Sequence, residues 1–214
     1  MFRFGVLSGG SFKGLPVQVL RQRGRIMANG VYERMGRKLV RKGVVIDEYV
    51  DTISLPNGES EEWDFVDHKG AAAVVAVRDD GRLLMVRQWR NTLERETIEL
   101  PAGGRTSREE PTVETAAREL AEETGYRAQN LELLLNYRST VAFCNEKIDI
   151  YLATGLTPGK QHLDPDEFLN VEVWDLDDLI GMIQRGEIED GKTIAGIMAY
   201  AYRKRVAAPG EEKA

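Results

Sequence analysis

The chain has 214 residues, 42% of them hydrophobic and 30% charged, with a formal net charge of −6. That length favours one domain with room for a small extra element, and the apolar share supports a packed core, which excludes disorder except at the ends. The acidic balance supplies no basic excess for general nucleic-acid binding.

Residues 1–30 carry Arg3, Lys13, Arg21, Arg23 and Arg25, with no acid before Glu33. Their apolar runs are too broken for a signal peptide, so a variable extension is expected there. From Lys38 to Leu55 β-branched residues are dense and alternate loosely, which predicts strands. Pro56-Asn57-Gly58 signals a turn, and Glu61–Val66 returns as the partner strand. Ala71–Val77 is a nearly continuous apolar run of buried-strand length. Asp79-Asp80-Gly81 turns the chain into a strand over Leu83–Trp89.

Thr97–Leu100 is extended and runs into Pro101-Ala102-Gly103-Gly104, which reads as a loop. Pro111–Thr124 has helical periodicity, with Pro111 suited to a first turn and Gly125 to a C-cap. Strands are expected over Leu131–Tyr137, Lys147–Ala153 and Leu169–Trp174, and helices over Leu176–Arg185 and Thr193–Arg203. The tail from Ala207 is polar and expected to fray. Strands interspersed with a few helices indicate an α/β or α+β sandwich.

No run approaches the roughly 18 apolar residues of a membrane span. The single cysteine, Cys144, cannot form an internal disulfide or a cysteine zinc cluster, which fits a reducing cytoplasm. It reads as an inert, half-buried thiol. His68 and His162 are far apart and lack metal-type partner spacing, so solvated or structural roles are expected for both.

The informative stretch is Arg118-Glu119-Leu120-Ala121-Glu122-Glu123-Thr124-Gly125-Tyr126. On a helix, Val113, Ala116, Ala117 and Leu120 fall on one apolar stripe, and Glu119, Glu122 and Glu123 share another face at i, i+3 and i+4. Carboxylates that close repel one another, and a divalent cation removes that cost; all-oxygen ligands suit a hard ion such as magnesium. The plain alternative is a solvated charged face, with Arg118 pairing to Glu114 or Glu122.

Upstream spacing decides between them. Gly104, five residues, Glu110 and seven residues precede Arg118. This resembles the box of the Nudix hydrolase family, G-x5-E-x7-R-E-U-x-E-E-x-G-U with U a bulky apolar residue, and Tyr126 is an aromatic variant of the last position. Long multi-position motifs of this kind are specific.

The resemblance implies a Nudix α/β/α sandwich over residues 69–206 with a small N-terminal antiparallel strand domain over 31–68. It implies that Glu119, Glu122 and Glu123 hold Mg2+, with Mn2+ as a substitute, and that Glu110 supports them. Arg118 would orient a catalytic glutamate. A backbone carbonyl from Ala102 or Gly103 would add a ligand, and the doubled glycine leaves open which one.

From about Arg37 to Tyr202 the chain looks like the ADP-ribose pyrophosphatase branch, on Val86-Arg87-Gln88-Trp89-Arg90, Glu99-Leu100-Pro101-Ala102-Gly103, Gly70–Val75 and Glu167–Val173. In that branch the N-terminal strands swap across a homodimer. Arg90 and Glu99 would help hold the nucleoside end, and Trp89 is either core filling or a base-stacking platform. Thr140-Val141-Ala142 stands where ADP-ribose-specific members carry Ser-Pro-Gly before Phe-Cys-x-Glu, here Phe143-Cys144-Asn145-Glu146. GDP-mannose, UDP-sugars and other diphosphates therefore stay open as substrates.

The general base would lie in the loop Gln161–Phe168, with Glu167 first and Asp164 and Asp166 as alternates; a solvated acidic loop is the plain reading. The implied activity is Mg-dependent cleavage of ADP-ribose or a related nucleoside diphosphate sugar into a nucleoside monophosphate and a sugar phosphate. A Nudix enzyme acting on another nucleoside diphosphate-X, on triphosphates or on capped RNA, and a Nudix-fold ligand-binding regulator, are the alternatives.

Overall fold

The computed structural model describes residues 31–165 and 167–207. The expected extension over 1–30, the tail beyond Ala207 and Asp166 lie outside the described residues.

Three antiparallel strands, β1 (Glu33–Lys42), β2 (Asp47–Ser54) and β3 (Ser60–Asp67), form a sheet in that order. The turn between β2 and β3 uses Gly58 at φ 86°, with the Asn57 side chain accepting from Glu59 N at 3.0 Å. β1 starts at Glu33, ahead of the expected Lys38. All ten of its residues are exposed, so no buried face writes an alternation into the sequence.

A second, seven-stranded sheet runs β10-β5-β4-β9-β8, with β6 beside β5 and β7 beside β4. Its strands are β4 (Ala71–Val77), β5 (Leu83–Arg90), β6 (Arg95–Glu99), β7 (Ala102–Gly104), β8 (Tyr126–Arg138), β9 (Lys147–Pro158) and β10 (Leu169–Trp174). β4 and β9 are parallel, and the other pairs are antiparallel. Every residue of β4 is buried because both faces of the sheet are covered.

On one face Ala72, Val74, Ala76 and Leu84 pack with Ala116 and Leu120 of α1 (Thr112–Thr124). On the other, Ala73, Val75, Val77, Leu83 and Met85 pack with Leu179 and Met182 of α2 (Leu176–Gln184) and Ile197 of α3 (Gly191–Ala207). This is the expected α/β/α sandwich. Among the described residues no helix is long and apolar enough to cross a membrane.

The stretch expected as a loop after Leu100 is in fact a short strand. Ala102, Gly103 and Gly104 pair with Ala73, Ala72 and Ala71, while β5 holds only the far end of β4, at Ala76 and Val77. The sheet therefore forks between β5–β6 and β4–β7. A three-residue strand of Ala and Gly carries no propensity signal; its partner makes it a strand. The chain from Glu99 to Gly104 crosses this fork, from the Val86 edge of β5 to the Ala73 edge of β4.

Candidate active site

The buried side of α1 consists of Thr115, Ala116, Glu119, Leu120, Glu123 and Thr124. Val113 and Ala117, expected on the apolar stripe, are exposed. The helix is rotated from the expected facing because two glutamates, not two more apolar residues, point at the forked end of the sheet. Pro111 is the N-cap and makes no side-chain cap; the first turn is held instead by Thr112 Oγ1 donating to Asp149 Oδ2 at 2.7 Å.

Glu119 and Glu123 are 7% and 3% exposed, an unusual place for carboxylates. Gly103 passes so close that a Cβ there would overlap the Glu119 carboxylate. Ala102 N donates to Glu123 Oε2 at 2.9 Å. Burial, with the nearby charges of Glu119 and Glu167, pushes the Glu123 carboxyl up to about 8. Burial also raises Glu119, against the pull of Arg118.

Arg118 sits among the acids. It donates to Glu119 Oε1 at 2.7 Å, to Glu122 Oε2 at 2.9 Å and to Gly104 O at 2.9 Å, and its Nε lies 3.5 Å from Glu110 Oε1. Glu110 in turn accepts from Thr106 N and Thr106 Oγ1, and the Thr106 amide in first place holds its carboxyl low. The loop before α1 is thereby closed on the arginine.

A divalent cation is what the donor set suits. Two buried carboxylates lie beside a backbone strand with no side chain in the way, Glu119 shared with Arg118 and Glu123 met only by the Ala102 amide among the described residues. Glu119 and Glu122 are turned onto Arg118, and Glu123 onto Ala102 N. Among the described residues no cluster of three or more His, Cys, Asp or Glu surrounds one point. Ligand side chains of this length re-aim by rotamer changes, without moving the helix.

A second buried network lies across the fork. Glu99, 2% exposed, accepts from Arg90 Nε at 2.6 Å, Arg90 Nη2 at 2.5 Å, Lys192 Nζ at 2.6 Å and Thr97 Oγ1 at 2.6 Å. Burial alone would raise this carboxyl, but the Arg90 and Lys192 contacts outweigh it and hold it at about 2. Lys192 also donates to Asp190 Oδ2 at 2.9 Å, and Asp190 caps α3 by accepting from Thr193 N at 3.0 Å.

The expected Arg90–Glu99 pairing is thus present, with Glu99 saturated by donors and Arg90 the half-exposed member. Lys192 and Asp190 carry no motif that marks them in the sequence. Arg90 and Lys192, with Ala102, Gly103 and Gly104, are among the residues that line a cavity of about 420 Å³.

The remaining expected residues are placed as follows. Glu167 stands near enough to Glu119 and Glu123 for its charge to raise both carboxyls. Its Oε2 accepts from Asp164 N at 3.1 Å. Asp164 is exposed. Trp89 is 58% exposed, so the core-filling reading is wrong: β5 turns Arg90 toward Glu99 and its neighbour outward.

His68 is structural, its Nδ1 accepting from Gly70 N at 3.0 Å. Cys144 is a free, half-buried thiol beside a backbone bridge to Val66. Asn145 Oδ1 accepts from His68 N at 2.8 Å, and Asn145 Nδ2 donates to Asp67 Oδ1 at 2.6 Å, so the Phe143–Glu146 segment ties the two sheets together.

The comparisons with known proteins agree with this geometry. The NUDIX domain profile matches residues 67–196. The chain is 39% identical over 165 residues to an ADP-ribose pyrophosphatase of Bacillus subtilis (strain 168), covering 76% of this chain and 89% of that one. It is 38% identical over 157 residues to a methanol dehydrogenase activator of Bacillus methanolicus, covering 72% and 84%. A solved structure described as an ADP compounds hydrolase superposes with a TM-score of 0.74 over 85% of this chain and 98% of that chain; at 18% identity it speaks for the fold alone. The box from Gly104 to Tyr126, the acidic helix it builds and a profile match over most of the sandwich have one common explanation: the chain belongs to the Nudix family of hydrolases.

Proposed function

We propose that the chain hydrolyses the pyrophosphate bond of ADP-ribose or a related nucleoside diphosphate sugar, with magnesium or manganese bound. The products are a nucleoside monophosphate and a sugar phosphate. The observation that carries this reading is the buried pair Glu119 and Glu123 set against Ala102 and Gly103, beside Glu122 and Arg118. The name of the Bacillus subtilis relative supports the substrate class.

Nudix hydrolases in general need a divalent metal. Glu119, Glu122 and Glu123 would hold it, with a backbone carbonyl of Ala102 or Gly103. When bound it neutralises diphosphate charge and acidifies the attacking water. The rest falls to the chain's own groups. Arg118 fixes two of the carboxylates, and Glu110 fixes Arg118. Arg90, held by Glu99, faces the cavity where the nucleoside end would lie. Glu167 takes the proton of a water whose oxygen joins one phosphorus as the bridging P–O bond breaks. The bridging oxygen leaves with the other phosphate.

A homodimer through residues 31–68 completes this reading. Met35, Leu39 and Val40 of β1, with Val31 and Val44 just outside the strand, are exposed, as suits apolar residues that a second copy would cover. The lone cysteine suits a reducing cytoplasm.

A second reading, a Nudix-fold regulator of another protein, has in its favour the Bacillus methanolicus relative's name. The full set of box carboxylates favours hydrolysis. A substrate panel separates the two: ADP-ribose, GDP-mannose, UDP-glucose and nucleoside triphosphates, each with Mg2+, with products identified by chromatography. ADP-ribose yielding AMP and ribose phosphate supports the proposal, and no turnover of any diphosphate sugar sinks it.

A further inference from the structure

The last turn of a helix leaves backbone carbonyls that the helix itself cannot satisfy. At the end of α1 two of these belong to the carboxylate-bearing residues. Glu123 O accepts from Gln161 Nε2 at 2.6 Å, and Glu122 O accepts from His162 N at 2.9 Å. The approach is tight: Gly125, the C-cap at φ 76°, would place a Cβ 2.8 Å from Gln161 N. The segment around Gln161 is therefore docked on the helix end.

Three residues on from Gln161, Asp164 is tied to Glu167. Its N–H donates to Glu167 Oε2 at 3.1 Å, and its carbonyl accepts from Glu167 N at 3.0 Å. A continuous path thus runs from the carbonyls of Glu122 and Glu123, through Gln161 and His162, to the Glu167 carboxylate. The His162 link is a backbone bond that any residue but proline can make. The Gln161 link needs a side-chain donor of that length.

We propose that Gln161 is a positioning residue, whose side-chain amide clamps the Glu167 turn to the Glu123 carbonyl and so fixes where Glu167 stands over the carboxylate pair. This rests on the reading of Glu167 as general base. The residues that would hold metal by their side chains hold the base's turn by their backbones, so both halves of the site share one rigid end of α1. Gln161 does not line the Arg90–Lys192 cavity. Its loss would displace the base and leave ground-state binding as it was.

The test is steady-state kinetics at saturating metal, on whichever diphosphate sugar turns over, for Gln161→Met, Gln161→Lys, Glu167→Gln and the double variant Gln161→Met with Glu167→Gln. Misplacement of a reacting group by an ångström costs on the order of 100-fold. Gln161→Met is expected to lower kcat by about tenfold to 100-fold with KM within about twofold. Gln161→Lys, which keeps a donor, should recover most of it.

In the Glu167→Gln background the methionine should add less than about twofold, because both changes act on one proton transfer. Amide exchange should speed up at His162 and stay slow within α1. Wild-type kcat in Gln161→Met beside a slow Glu167→Gln overturns this inference alone; wild-type kcat in Glu167→Gln overturns it together with the base assignment. An undiminished Gln161→Met effect in the double variant, or lost protection throughout α1, assigns Gln161 a merely structural part and also overturns it.

Discussion

Glu99 and Glu123 are both almost fully buried, and their surroundings drive them in opposite directions. Glu99 is met by Arg90, Lys192 and Thr97 and held at about 2, against an ordinary 4.5. A folded-state value below the unfolded one stabilises the fold above pH 4.5, and that stability is lost as pH falls toward 2. The gap corresponds to about 3 kcal/mol. Denaturant titrations at pH 6 and pH 2.5 should show most of that loss in the wild type and not in Glu99→Gln. The same acid sensitivity in both would count against the network.

Among the described residues Glu123 is met by one amide donor and by no ion pair, as suits a side chain that would hold a metal. Glu122→Gln and Glu123→Gln should each lower kcat by about 100-fold or more at saturating Mg2+. Neither should lower Tm, since Glu122 is half exposed and at Glu123 an amide replaces a carboxyl that burial already holds near neutral. A fall in Tm matching the fall in kcat would make these residues structural.

Much of the site could be read at this scale because the box spaces its residues along one covalent segment, Gly104 to Tyr126. Lys192 and Asp190 could not: Lys192 meets Glu99 across 93 positions of sequence, and a lysine near a helix start carries no mark of that contact. The outward turn of Trp89 was equally hidden, since strand parity is fixed by the Arg90–Glu99 pair and not by the residue itself.

Among the elements, α1 governs the site's geometry. Leu120, fully buried against Leu84 and Ala116, seats the helix on the sheet. Leu120→Ala should cost about 2–5 kcal/mol, read as a fall in Tm. Gly103→Ala is the sharper test of how closely β7 lies against the helix. Its methyl would meet the Glu119 carboxylate, so the Mg2+ needed for half-maximal activity should rise severalfold with Tm little changed. An unchanged metal requirement would contradict the close approach.

Helix α1 and strands β4, β5 and β10 were legible from periodicity and apolar runs. Strand β7 was not, because a strand made by its partner leaves no pattern of its own. The facing of α1 is hidden for a related reason: its buried side holds two carboxylates where an apolar stripe would mark it.

For the whole molecule, the sandwich carries the site and the N-terminal sheet stands beside it, with apolar residues facing outward. Light scattering at micromolar concentration should give about twice the chain mass. Met35→Lys with Val40→Lys should give monomers, and a wild-type monomer would remove the dimer.

On this reading the carboxylates of α1, with a divalent cation, make the chain a pyrophosphohydrolase. The most direct test is turnover of ADP-ribose, followed as AMP formed, in Mg2+, after a chelator, and after Mg2+ is restored, for wild type and Glu123→Gln side by side. The account predicts that AMP formation stops with the chelator, returns with Mg2+, and is nearly absent in Glu123→Gln throughout. AMP formed at an undiminished rate in metal-free buffer, or by Glu123→Gln at the wild-type rate, would contradict it.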